Sequence, residues 1–333
     1  MLVFSVESSC DETSVCIMQN DKKILSHIVY SQEIHKKHGG VVPELASRAH
    51  LEILQNITKK AFKESGLNLT DIDLFSATCG PGLIGGLLIG STFTKSLSVG
   101  LKKPFIPINH LEAHVLSTFF NNDVTFPHLC LLITGGHTQI YLLEDLNKIN
   151  LIGETIDDAV GEAFDKVAKI LGLSYPGGHE IEKQALNGNE NSFELPQPLA
   201  KENNLNFSFS GLKTSINLLS KKNLIDNDFI KNISASFQKC VANILITKLT
   251  KAIRNIDRVK YNNLSTSVVG GVANNKYLKK CFKNLESKND VKILYPPEFM
   301  MSDNAAMIAW ATILKYSKNN DLDFKPNPRL TIS

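Results

Sequence analysis

Two histidines one helical turn apart, in Asn109-His110-Leu111-Glu112-Ala113-His114, are the residues of this sequence best spaced for chemistry. Positions i and i+4 share a helix face, so both imidazoles can reach one ion. Imidazole pairs suit zinc or iron. A zinc protease of the H-E-x-x-H kind needs a glutamate directly after the first histidine as its general base. Here that place is Leu111, and Glu112 points to another side, so the pair lacks a water-activating partner. The bland alternative is a pair of structural or surface histidines. A third ligand must be an acid brought in by folding. Asp303, in Met301-Ser302-Asp303-Asn304-Ala305-Ala306 at the start of a late helix, is the candidate.

Two turns suit a phosphate. In Thr134-Gly135-Gly136-His137-Thr138 the glycines let the backbone approach a ligand, and consecutive N–H groups can face an anion. Ser8-Ser9-Cys10-Asp11-Glu12-Thr13 occupies the matching place near the start of the chain. Gly270-Gly271-Val272-Ala273-Asn274-Asn275, between a strand and a helix, suits the adenosine or ribose end of a nucleotide. Tyr175-Pro176-Gly177-Gly178 is a fourth glycine turn, after the helix that carries Asp165 and Lys166. Lys166 reads as a salt-bridge partner.

The elements that must position these groups repeat one plan. Apolar strands over 2–7, 14–19 and 23–30, joined by polar turns, are matched by strands over 129–133, 139–144 and 149–154. Helical periodicity follows at 44–63, 84–99, 159–171, 230–256 and 275–285, with strands at 72–79, 104–108 and 267–272. Alternation of this kind predicts mostly parallel sheets covered on both faces. Two α/β lobes are expected, 1–125 and 126–333, with an insertion around 187–230 and a nucleotide cleft between the lobes.

Composition agrees with a folded enzyme. Of 333 residues, 43% are apolar and 21% charged, which excludes a disordered chain, and the length favours two domains. The start lacks a basic lead and meets Glu7 early, unlike a signal peptide. The apolar stretch 83–101 holds Lys95, hydroxyls and glycines, and reads as a buried helix rather than a membrane span. Six scattered cysteines with no C-x-x-C suit a reduced, cytoplasmic compartment. The net charge is +3, but residues 201–290 carry sixteen Lys/Arg against six Asp/Glu, a bias that suits a polyanion or reflects a lysine-rich composition.

Eight motifs in order resemble one family over nearly the whole chain. They are Glu7-Ser8-Ser9-Cys10-Asp11-Glu12-Thr13, Gly39-Gly40-Val41-Val42-Pro43-Glu44-Leu45-Ala46-Ser47-Arg48, Gly80-Pro81-Gly82-Leu83, His110-Leu111-Glu112-Ala113-His114, Thr134-Gly135-Gly136-His137-Thr138, Asp157-Asp158-Ala159-Val160-Gly161-Glu162-Ala163-Phe164-Asp165-Lys166, Phe207-Ser208-Phe209-Ser210-Gly211-Leu212-Lys213-Thr214 and Ser302-Asp303-Asn304. The family is bacterial TsaD, the tRNA threonylcarbamoyladenosine transferases. The resemblance implies two actin/hexokinase/Hsp70-like (ribonuclease H-like) lobes. It implies transfer of a threonylcarbamoyl group from threonylcarbamoyl-AMP to the exocyclic amine of the tRNA adenosine 3′ of the anticodon. It implies one divalent metal, iron (Fe2+) or zinc, on His110, His114 and Asp303. Substrate contacts carry over to Leu132, Ile133, Thr134, Gly135, Gly136, Asp165 and Gly178, and to Asn275 or its neighbour Asn274. Glu182, where the family often has Asp, is a candidate for the ribose hydroxyls. Asp11 or Glu12 either acts on the nucleophilic amine or holds its own turn. Implied partners are tRNA, the inactive paralogue TsaB as a heterodimer mate and the P-loop ATPase TsaE, with no membrane. An ATP-dependent small-molecule kinase of the same superfamily is the rival reading.

Overall fold

The computed structural model describes residues 1–256, 264–289, 291–316 and 321–332. Of the basic segment, residues 257–263 and 290 lie outside the described residues. The chain forms two compact units, Met1–Asn121 with Pro296–Ser333, and Asn122–Tyr295.

The first unit is built on strands β1 (Leu2–Glu7), β2 (Glu12–Gln19), β3 (Ile24–Ser31), β4 (Leu74–Gly80) and β5 (Phe105–Asn109), ordered β3-β2-β1-β4-β5. The second has β6 (His128–Ile133), β7 (Thr138–Leu143), β8 (Ile149–Glu154), β9 (Ser265–Val269) and β10 (Ile293–Leu294), ordered β8-β7-β6-β9-β10. The two sheets share one plan. Short turns force the first three strands of each into antiparallel pairing, and crossovers make the last two parallel. The sheets are therefore evenly mixed rather than mostly parallel. The expectation of parallel sheets neglected the hairpins that the repeated turns themselves imply.

Alternation along β1 sorts its side chains. Phe4 and Val6 face a core with Leu54, Ile57 and Ala61 of helix α1 (Pro43–Ser65). Val3 faces a second core, closed by Met300 and by Ala305, Ala306, Ala309 and Trp310 of the late helix, with Cys16, Met18 and Leu74. Ser5 joins Ser76 on this side at 2.6 Å, and Thr312 donates to Ser76 at 2.8 Å. Glu7 is the next residue on that face.

This packing corrects the expected domain limits. Residues 296–333 do not extend the second lobe; they return to the first unit, because the late helix carries the apolar face that covers its sheet. Within the expected insertion, residues 187–209 carry no named helix or strand, and helices α6 (Ser210–Lys222) and α7 (Asn227–Asn255) follow.

Helix α2 (Ile84–Leu101) is the one helix among the described residues long and apolar enough to cross a membrane by length and composition. Here it packs on the sheet, and its small residues explain how. A Cβ on Gly86 would lie 2.2 Å from the Ser8 carbonyl oxygen, and one on Gly90 would lie 2.1 Å from Ser8 Oγ. The helix thus rests directly on the turn that follows β1. Gly100, near its end, has nothing within 4 Å of a Cβ. Gly86→Ala should therefore lower stability by about 1–3 kcal/mol, through overpacking against backbone. Gly100→Ala should be neutral or stabilise by up to about 1 kcal/mol. Urea unfolding midpoints of the two variants check the contrast.

Candidate metal centre

Two capped helix starts position the candidate ligands. Asn109 caps α3 (His110–Ser117): its Oδ1 accepts the N–H groups of Leu111 at 2.9 Å and Glu112 at 3.1 Å. That places His110 at the first helical position and His114 one turn on, with both rings buried. Asn304 caps α9 (Ala305–Lys315) in the same way, accepting from Ala306 at 2.8 Å and Met307 at 3.0 Å. The Ala305 N–H goes to Ser14 Oγ at 2.9 Å, which ties this helix start to β2. Asp303, just before the cap, is thereby brought to the histidines.

Asp303 Oδ1 lies 3.0 Å from His114 Nε2 and 3.5 Å from His110 Nε2. The rings stand edge to face, 4.8 Å between centroids. All three ligand atoms fall within 4.8 Å of one another. An ion bound by nitrogen and oxygen at about 2.0–2.2 Å holds its ligand atoms no more than about 4.4 Å apart, so the 3.0 and 3.5 Å nitrogen–oxygen spacings suit one divalent ion. All three ligands belong to the first unit. The expectation that Asp303 comes from the opposite lobe is thus corrected: it is distant in sequence but shares a unit with the histidines, because α9 returns there.

Glu7 was not singled out as a site residue from the sequence, yet it is the centre's nearest carboxylate after Asp303. It is fully buried. Its Oε2 meets His110 Nδ1 at 3.0 Å and accepts the Thr78 hydroxyl. Its Oε1 accepts the Ser9 N–H at 2.6 Å. The only signal in the sequence was an acid at the buried end of an apolar strand. His50 of α1 is a second such residue: it bonds Thr13 Oγ1 at 2.8 Å and the Cys10 carbonyl at 3.0 Å, which pins the turn.

Charge in the centre is shared. Burial opposes ionisation of all four groups, and partners then decide the outcome. Asp303 and Glu7 outweigh burial at His110 and raise its pKa well above the usual histidine value. Burial, with positive His110 nearby, lowers that of His114. Burial would raise both carboxyls, but His110 holds Glu7 below the ordinary range, and the two histidines hold Asp303 well below it. Glu12 is pushed well above the carboxylate range by burial and by Asp11, Asp303 and Glu7. Glu112 takes no part; it pairs with Lys315 of α9.

The expected nucleotide contacts lie in the second unit. Leu132 and Ile133 end β6, and Thr134, Gly135 and Gly136 form the β6–β7 turn, where Thr134 Oγ1 accepts the His137 N–H at 3.0 Å. Gly270 (φ +96) follows β9, and a Cβ there would lie 2.4 Å from the Ile133 carbonyl oxygen, so glycine lets β9 lead directly past this turn. Asp165, on α4 (Val160–Ile170), accepts the Gly177 N–H at 2.7 Å and so fixes α5 (Gly177–Ala185), which carries Gly178 and Glu182. Lys166 pairs with Asp158 at 2.6 Å and Glu162 at 2.9 Å, as expected.

Two expected substrate residues have structural work. Asn275 is buried; its Oδ1 accepts Leu278 N–H at 2.9 Å, capping helix α8 (Lys276–Asn289), and its Nδ2 donates to Gln238 at 2.8 Å. Glu182 Oε1 accepts the Lys276 N–H at 2.6 Å. Asn274, one residue earlier, is part-exposed. Removing the cap with Asn275→Ala should cost about 1–2 kcal/mol, whereas Asn274→Ala should stay within about 0.5 kcal/mol of the parent. Chemical denaturation of both variants measures this.

A family model for tRNA N6-adenosine threonylcarbamoyltransferase, TsaD, matches residues 23–310. The chain is 45% identical over 331 residues to the tRNA N6-adenosine threonylcarbamoyltransferase of Ehrlichia ruminantium (strain Gardel), covering 98% of this chain and 95% of that protein. To the protein of the same name from Rickettsia rickettsii (strain Sheila Smith) it is 45% identical over 336 residues, with 99% and 98% covered. Among solved structures, HypF of T. kodakarensis aligns with a TM-score of 0.62 at 14% identity, covering 94% of this chain and 47% of that one, a likeness of fold alone. Two sheets of identical order, each a mixed five-stranded sheet with helices, are the actin/hexokinase/Hsp70-like fold. With a family match over most of its length and near-full-length relatives at 45% identity, the chain belongs to the tRNA N6-adenosine threonylcarbamoyltransferase family.

Proposed function

We propose that this chain transfers the threonylcarbamoyl group of threonylcarbamoyl-AMP to the exocyclic amine of the adenosine 3′ of the anticodon, in tRNAs that read codons beginning with adenine. The observation that carries this reading is the His110–His114–Asp303 constellation, intact in a chain of this family. An ATP-dependent kinase of the same fold would account for the glycine turns but has no use for that constellation.

The reaction joins a weak amine nucleophile to a labile mixed anhydride. The amine nitrogen bonds to the carbamoyl carbon, the carbon–oxygen bond to phosphate breaks, and AMP leaves with the electron pair. The leaving group is good, so catalysis rests on positioning and on exclusion of water. His110, His114 and Asp303 would hold an iron (Fe2+) or zinc ion, which supplies Lewis-acid polarisation of substrate oxygens when bound. Asp11 or Glu12, in the turn after β1, would orient the amine or take the proton it loses. In the second unit Gly135 and Gly136 carry backbone N–H groups suited to phosphate beside Thr134, whose own N–H goes to the His137 carbonyl, and Asp165, Gly178 and Asn275 or Asn274 would line the nucleotide.

Surface features support the partners. Helix α8 exposes Lys276, Lys280 and Lys283 at helical spacing opposite buried Leu278, Phe282 and Leu285, a basic stripe suited to tRNA. Leu51 of α1 is 70% exposed, and Ile84 and Leu88, one turn apart on α2, are 46% and 48% exposed. Such apolar residues on neighbouring helices suit a protein mate such as TsaB, while TsaE would supply ATPase activity. Reduced cysteines and a tRNA substrate fit a cytoplasmic enzyme.

One reconstitution tests the reading: the chain with TsaB, TsaE, tRNA and a source of threonylcarbamoyl-AMP, followed by nucleoside analysis. Modified adenosine is expected from the parent. His110→Ala/His114→Ala should lose both product and bound metal by elemental analysis. Glu12→Gln should slow transfer by about 10²–10⁴-fold with metal retained. Reversal of Lys276, Lys280 and Lys283 to Glu should weaken tRNA binding and flatten its salt dependence. No product from the complete parent mixture, with active partners, would sink the transferase reading. Full metal in the double histidine variant would mean other ligands.

A further inference from the structure

We propose that Glu7 is a positioning residue for the metal centre: it accepts the hydrogen bond from Nδ1–H of His110 and so leaves Nε2 as the nitrogen that faces Asp303 and the ion. The inference rests on the metal reading above.

The geometry leaves Glu7 little else to do. Its carboxylate is fully buried, and among the described residues its one ion-pair contact is His110. Ser9 N–H can only donate, so Oε1 is an acceptor. The Thr78 hydroxyl donates to Oε2, and His110 Nδ1 sits 3.0 Å from the same atom. A carboxylate already receiving two donors is met by Nδ1 as N–H, and the lone pair of the ring then lies at Nε2. That nitrogen is the one 3.5 Å from Asp303 Oδ1. A carboxylate on the far nitrogen of a ligating imidazole fixes the ring and raises its basicity.

His114 provides the contrast inside the same site. Its Nε2 also faces Asp303, but its Nδ1 is buried and meets no hydrogen-bond partner. Asp303 and packing orient that ring, with nothing on its far nitrogen. The two histidines are therefore unequal donors: His110 Nδ1 meets Glu7 at 3.0 Å and the Ser9 hydroxyl at 3.3 Å, and Glu7 is the charged partner of the two.

Glutamine cannot stand in. Both oxygens of Glu7 accept, from Ser9 on one side and from Thr78 and His110 on the other. With its oxygen toward Ser9 N–H, an amide sets its NH2 against His110 Nδ1, which can accept it only by giving up the Nδ1–H form; turned the other way, the NH2 faces the Ser9 N–H. Glu7→Gln should therefore misalign His110 while conserving volume.

The experiment uses the full chain with zinc. Metal affinity is measured by competition with a chromogenic chelator for the parent, Glu7→Gln and Ser76→Ala, the last perturbing the same buried face without touching Glu7. Glu7→Gln should bind zinc about 10–100-fold more weakly, and Ser76→Ala as tightly as the parent, whatever each does to the melting temperature. Parent-like affinity in Glu7→Gln, or equal loss in Ser76→Ala, overturns the inference. Nitrogen-15 spectra of the histidine rings in the zinc-loaded parent give a readout that survives a variant that fails to fold. His110 should show a protonated Nδ1 and a metal-shifted Nε2; the reverse assignment overturns the inference. A parent chain that takes up no zinc at His110 and His114 overturns the metal reading first. A parent that binds zinc beside an unaffected Glu7→Gln overturns this inference alone.

Discussion

A buried carboxylate, with no lysine or arginine paired to it among the described residues, is the constraint around which the first unit is arranged. Removing such a group from water costs several kcal/mol unless donors replace the solvent. Glu7 receives them from three separate places: its own turn through Ser9, strand β4 through Thr78, and helix α3 through His110. One group thereby ties the end of β1 to its parallel neighbour and to the helix that bears both histidines. The small residues of α2 answer to the same need. They let that helix lie on the Ser8 backbone, while His50 holds the turn from the α1 side.

The candidate metal ligands sit at helix starts: both histidines on α3, and Asp303 immediately before the cap of α9. Each helix start is fixed by an asparagine cap, Asn109 or Asn304, so the ligand positions inherit the rigidity of the helices and of the sheet beneath. The late helix serves two ends. Its alanine-rich face covers the sheet beside Val3, Cys16 and Met18, and its cap presents Asp303 to the histidines. A chain that built this core without α9 would have a two-histidine site with no anionic ligand.

The second unit repeats the scaffold and changes the chemistry. Strand β1 ends in Glu7 and leads into an acidic turn; strand β6 ends in Ile133 and leads into Thr134, Gly135 and Gly136. An acidic turn beside histidines suits a cation, and a glycine turn with unhindered N–H groups suits an anion. Identical sheet order thus supports opposite electrostatics.

Much of this was legible from residue order. Period-two apolar runs announced the two hairpins, the i, i+4 spacing announced the paired imidazoles, and the ordered motifs announced the family, because these signals are local. What residue order left undecided involved partners far apart in the chain. Asp11, Glu12 and Glu7 are all acids of one motif, and only folding buries Glu7 against His110 and Thr78. Asn274 and Asn275 are chemically identical, and only the start of α8 assigns the cap to Asn275 and leaves its neighbour at the surface. Residues 296–333 read as an extension of the second lobe until the apolar face of α9 is seen to fit the first sheet. Residue order was enough for the strand plan, for the family and for nominating two histidines and an aspartate as candidate ligands. The tertiary structure alone decided which acid holds which histidine and where the chain's last helix belongs, since burial and hydrogen-bond satisfaction are properties of contacts that no local pattern contains.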